Sequence, residues 1–67
     1  METFGEILKL LRNSMQLSRR QLSERLYISP ETLRLLETGE KEPNLSLFIA
    51  IADYFDESLD YLAGREK

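Results

Sequence analysis

The stretch Leu17–Pro43, LSRRQLSERLYISPETLRLLETGEKEP, sets two short helical runs back to back with only Tyr27, Ile28 and Ser29 to turn between them. Ser18 stands where an N-cap oxygen accepts from a free backbone N–H, and Gln21 sits three residues on, as in a capping box. Leu22 and Leu26 give the run that follows a narrow apolar side. Ser29-Pro30-Glu31-Thr32 then restarts a helix. Serine caps it, proline at the first position forgoes an N–H that has no helical partner, and an acid suits the positive end of the dipole. Leu33 and Leu36 continue this helix to Glu37-Thr38, and Gly39 supplies the left-handed residue that closes it.

Outward from this pair, helical spacing runs nearly end to end. A first helix is predicted over about residues 3–15, with Phe4, Ile7, Leu8, Leu11 and Met15 on its apolar side. A break follows at Gln16-Leu17. Asn44 caps a fourth helix over about 45–55, and Ser58 caps a short fifth from Leu59 to about Ala63, with Gly64 near its end. In the fourth helix the spacing assigns Leu45, Phe48, Ile49, Ala52 and Phe55 to the core and Leu47, Ala50, Ile51 and Tyr54 to the outside, a candidate dimer interface. Helices under ~12–15 residues are marginal alone in water, so all five must share one core. The expectation is all-α, one domain over residues 1–67, with the paired helices at about 18–37.

Composition narrows the function. The 67 residues include no cysteine and no histidine, which removes disulfides, thiolate chemistry, imidazole bases and the common zinc arrangements. No phosphate-cradling glycine loop is present, so no enzyme site, cofactor, metal or small-molecule pocket is expected. Apolar runs are too short for a membrane span or a secretory signal, and the expected location is cytoplasmic. The net charge is −3, but a sum hides placement. Residues 18–26 hold Arg19, Arg20 and Arg25 against Glu24 alone, whereas 27–43 hold four glutamates against Arg34 and Lys41.

Two short helices joined by such a turn are either a corner in a small bundle or a unit whose second helix enters the DNA major groove. The whole chain tips the balance, because ILKLLRNSMQLSRRQLSERLYISPETLRLLETGEKEP (Ile7–Pro43) resembles the lambda-repressor/Cro-like (XRE-type) helix-turn-helix family, a five-helix module of phage repressors and bacterial regulators. Arg12, Ser18, Leu22, Ile28, Ser29, Leu33, Leu36, Glu37, Gly39 and Pro43 fall in place, and SLDYLAGRE (Ser58–Glu66) looks like the closing helix.

The resemblance implies a sequence-specific DNA-binding transcriptional regulator, a repressor first, acting as a homodimer on a two-fold site in double-stranded DNA. It implies that Arg12 and Glu37 pair between the first helix and the end of the third. Ser18 and Arg19 match positions that hold a phosphate at the start of the second helix, and Arg20, Thr38 and Lys41 are further phosphate candidates. Pro30, Glu31, Thr32, Arg34 and Leu35 face the bases: Arg34 suits guanine edges, Thr32 either bonding sense or a thymine methyl, Glu31 the cytosine amino group, and Pro30 and Leu35 apolar contact. Departures from the family pattern are Arg19 for glutamine, Ser23 for alanine, Gln16 and Asp56 where glycine is common, and Glu57 where an apolar residue is common. Glu40-Lys41-Glu42 brings acids into a loop that the family makes basic. The alternative is a protein-interaction module on the same fold, binding a toxin or another regulator.

Overall fold

Each helix begins on a side-chain oxygen that takes up one of the backbone N–H groups a helix start leaves free. The computed structural model describes residues 3–65, so Glu66 at the edge of the resemblance lies outside it. Its helices are α1 (Phe4–Ser14), α2 (Arg19–Leu26), α3 (Pro30–Thr38), α4 (Leu45–Phe55) and α5 (Leu59–Leu62). Thr3 and Glu6 form a capping box on α1, and Ser18 and Gln21 another on α2. Ser29, Asn44 and Ser58 accept from Thr32, Leu47 and Tyr61.

The helix ends also share one device. Gln16, Tyr27, Gly39, Asp56 and Gly64 all have positive φ, between 54° and 84°. The residue after each donates its N–H five residues back: Leu17 to Arg12, Ile28 to Ser23, Glu40 to Leu35, Glu57 to Ala52 and Arg65 to Asp60. These are Schellman closures, which satisfy orphan carbonyls and turn the chain sharply. The bond from the Glu57 N–H to the Ala52 carbonyl, 2.9 Å long, closes the end of α4 through backbone, although the Glu57 side chain is exposed.

Every helix contributes to one core. Leu8, Leu22, Leu33, Leu36, Ile51 and Leu62 are wholly enclosed. Partly buried Phe4, Leu11, Ile28, Leu47, Phe48, Tyr54, Phe55 and Tyr61 pack around them, with the Phe4 and Phe48 rings 5.4 Å apart. Where α1 crosses the end of α3 the backbones nearly touch. A Cβ on Gly5 would stand 2.5 Å from the Glu37 carbonyl oxygen and 2.6 Å from that of Leu36, so only glycine fits there.

Two apolar assignments from spacing are corrected. Met15 is exposed, because α1 stops at Ser14 and the turn at Gln16 brings Leu17 into the core instead. In α4, Ile51 is fully buried and Leu47 and Tyr54 pack against the core, so of the four residues assigned outward only Ala50 is exposed. Leu45 and Ile49, assigned inward, are exposed. Phe48, Ala52 and Phe55 keep their place, so the error is a rotation of the stripe about the helix axis. Ser46 and Asp53, seven residues apart and both exposed, mark the outer side of α4 together with Ile49 and Ala50, a thin polar signal that the apolar spacing overrode.

Candidate nucleic-acid interface

Glu37, on the last turn of α3, is the hinge of the site. Its side chain is 1% exposed, and its two oxygens hold two arginines. Oε2 accepts from Arg12 Nε at 2.6 Å, while Oε1 accepts from Arg12 Nη2 at 3.2 Å and from Arg19 Nε at 3.0 Å. Arg12 Nη1 donates onward to the Leu17 carbonyl at 2.9 Å. A buried charge is tolerated only when paired and bonded, and among the described residues no buried side-chain polar atom lacks a partner. The cluster therefore ties α1, the turn before α2, the start of α2 and the end of α3 together.

Arg19 has a second tie that spacing alone does not reveal. Its link to Glu37 spans 18 residues, and no local pattern carries it. The side chain is 40% exposed and uses Nε, one of a guanidinium's five N–H donors, on the protein. Beside it Ser18 is engaged in the cap: its N–H donates to Gln21 Oε1 at 2.9 Å and its hydroxyl accepts from Gln21 N–H at 3.1 Å. Arg20 is exposed and lies 3.8 Å from Glu24. Arg25 donates to the Tyr54 hydroxyl at 2.6 Å, tying α2 to α4. Ser23 replaces an expected alanine without an orphaned hydroxyl, since its Oγ donates to the Arg20 carbonyl at 2.8 Å.

The opposite side of α3 is free of the core. Leu33, Leu36 and Glu37 are buried, whereas Pro30, Glu31 and Thr38 are exposed and Thr32, Arg34 and Leu35 half-buried. Thr32 is occupied at the cap, where the Ser29 hydroxyl donates to its Oγ1 at 2.8 Å. Arg34 is held by acids on both sides. Its Nε and Nη2 donate to Glu31 Oε1 and Oε2 at 2.9 and 2.7 Å, and Nη1 lies 3.6 Å from Glu40 Oε2. That same Glu40 oxygen accepts from the Thr38 hydroxyl at 2.8 Å. The bond from Arg34 holds the Glu31 carboxyl below its usual pKa and raises that of the guanidinium. Spacing of three on a helix could have signalled the Glu31–Arg34 pair; the approach of Glu40 depends on how the chain leaves Gly39. Lys41 is exposed and forms no ion pair with a described residue.

Paired helices with the first braced at its start, the second presenting an uncovered outer face, and three more helices enclosing the core define a helix-turn-helix domain. The family model for helix-turn-helix domains matches residues 8–62, and the chain belongs to that family, in its lambda-repressor/Cro-like branch. It is 33% identical over 96% of its length to BcrR, an HTH-type transcriptional activator of Enterococcus faecalis. It is 34% identical over 94% of its length to YqaE, an uncharacterized HTH-type transcriptional regulator of Bacillus subtilis (strain 168). The chain spans 31% of the first of these relatives and 54% of the second. Among solved structures, the P22 c2 repressor in complex with synthetic operator 9T in the presence of Tl+ superposes with a TM-score of 0.90, covering 98% of this chain and 100% of that one. At 23% identity that likeness speaks to the fold. Among the described residues no helix is long and apolar enough to cross a membrane.

Proposed function

We propose that this chain is the DNA-binding unit of a transcriptional regulator, with α3 lying in the major groove and the start of α2 against the phosphate backbone. One observation carries this reading: the outer face of α3 stays accessible, with Pro30, Glu31 and Thr38 exposed and Thr32, Arg34 and Leu35 half-buried, while its inner face is locked through Leu33, Leu36 and Glu37. A groove-entering helix needs such a rigidly mounted, accessible ridge. Pro30, Glu31, Thr32, Arg34 and Leu35 face the bases in this reading, and Ser18, Arg19, Arg20, Thr38 and Lys41 face the backbone. The P22 c2 repressor, bound to its operator, supports the docking mode by analogy of fold, and the two relatives support a role in transcription. Both an activator and a repressor occur among these proteins, so the same fold serves either sign of control.

A homodimer on a two-fold site belongs to the proposal, since two copies double the phosphate contacts and fix the half-site spacing. The exposed apolar residues Leu45, Ile49, Ala50 and Leu59 are the contact surface in this proposal, in place of Leu47, Ile51 and Tyr54, which turn to the core. The acids beside Arg34 favour a second reading, in which the α3 face binds a protein partner. Selection from a random duplex library at low and moderate salt separates the two. Enrichment of a two-fold motif is expected, whereas no retention even at low salt would sink DNA binding and leave the protein partner.

A further inference from the structure

We propose that Glu31 is a positioning residue that decides which edge of Arg34 is offered to a base. The inference rests on the major-groove reading above and assigns Arg34 one ligand, the O6 and N7 acceptors of a guanine.

A guanidinium can make paired bonds along two edges, Nε with Nη2 or Nη1 with Nη2. Glu31 fills the first, both its oxygens bonded at 2.9 and 2.7 Å. What is left is the Nη1/Nη2 edge. Glu40 Oε2 stands 3.6 Å from Nη1, near enough to attract it but too far for a hydrogen bond. The Thr38 hydroxyl, itself bonded at 2.8 Å to that oxygen, tethers Glu40 in this place. The free protein thus holds Arg34 in a defined pose, with its Nε/Nη2 edge closed by Glu31 and a second carboxylate near Nη1.

Two kinds of acceptor compete for such an edge on DNA. A phosphate and a guanine both offer paired oxygen or nitrogen acceptors, but only the phosphate carries a full negative charge. Two carboxylates flanking Arg34 therefore repel phosphate more than they oppose a neutral base edge. Total affinity falls, and the ratio of correct to indiscriminate binding rises. The acids of the α3 face and the following loop are, on this account, a device for discrimination rather than for affinity.

The test measures, by equilibrium titration, binding to the selected site, to the same site with the Arg34-facing guanine replaced, and to random duplex. Arg34→Ala should reduce the preference for that base pair by about tenfold. Glu31→Gln should tighten binding to random duplex several-fold and lower the guanine preference. Glu31→Asp keeps the charge but shortens the reach, so it should lower the preference with little change on random duplex. In an Arg34→Ala background neither substitution should alter the preference further. If both Glu31 variants keep the full guanine preference, Glu31 only repels and the positioning role is overturned, while DNA binding stands on the wild-type selection. If the wild-type chain selects no motif, the major-groove reading fails and this inference with it.

Discussion

Glu37 shows how one residue can make a site without touching a ligand. It sits on α3, three positions from Arg34, yet faces inward and is satisfied by Arg12 and Arg19. The two arginines differ in burial, 10% against 40% side-chain exposure, and this difference separates their roles. Arg12→Ala leaves a buried carboxylate with only Arg19 to balance it, and should cost about 3–5 kcal/mol in urea unfolding. Arg19→Ala removes a half-exposed partner and should cost about 1 kcal/mol or less. On DNA the order should reverse in any condition where both variants are folded: Arg19→Ala weakens every sequence alike, and Arg12→Ala binds normally. Equal stability losses for the two would show that the carboxylate does not distinguish them.

At the scale of elements, the Schellman turns account for short helices with almost no loop between them. Of the five left-handed residues only Gly39 and Gly64 are glycine. A side chain in that conformation costs roughly 1–2 kcal/mol, offset in part by the extra chain entropy a glycine would lose on folding. Tyr27, at φ 60°, is the clearest case, since its side chain is 94% exposed. Tyr27→Gly should raise stability by about 0.5–1 kcal/mol, seen as a higher urea midpoint with an unchanged slope. A lower midpoint would mean that the ring packs on something its exposure does not reveal. The turn between α2 and α3 would in either case keep its Ile28-to-Ser23 bond, because that bond is made by backbone.

For the whole molecule, the net charge of −3 and the engagement of Arg12 and Arg34 by carboxylates limit what DNA can gain from electrostatics. Lys41, Arg20 and the free donors of Arg19 are the cations left near the proposed docking face. With two to three phosphate contacts per subunit, log affinity should fall with log salt at a slope of about −2 to −3 for a monomer and about −4 to −6 for a dimer. Fluorescence anisotropy across a salt series measures this directly, and a slope near −10 would require a contact surface beyond the one described here.

The chain wrote its own punctuation. Ser18, Ser29, Asn44 and Ser58 open their helices and Gly39 closes α3 by local bonding, which depends on neighbours a few residues apart and is therefore readable in sequence. Gln16 and Asp56 were legible as left-handed only through the family pattern, and Tyr27 not at all. Folding alone settled the rest. The face that α4 buries, the second arginine on Glu37, the glycine required at residue 5 and the approach of Glu40 to Arg34 all arise between segments far apart along the chain or across a turn. A helix whose polar side is marked by no more than Ser46 and Asp53 fits several rotations, and a charge has many possible partners; only the packed arrangement of all five helices selects among them.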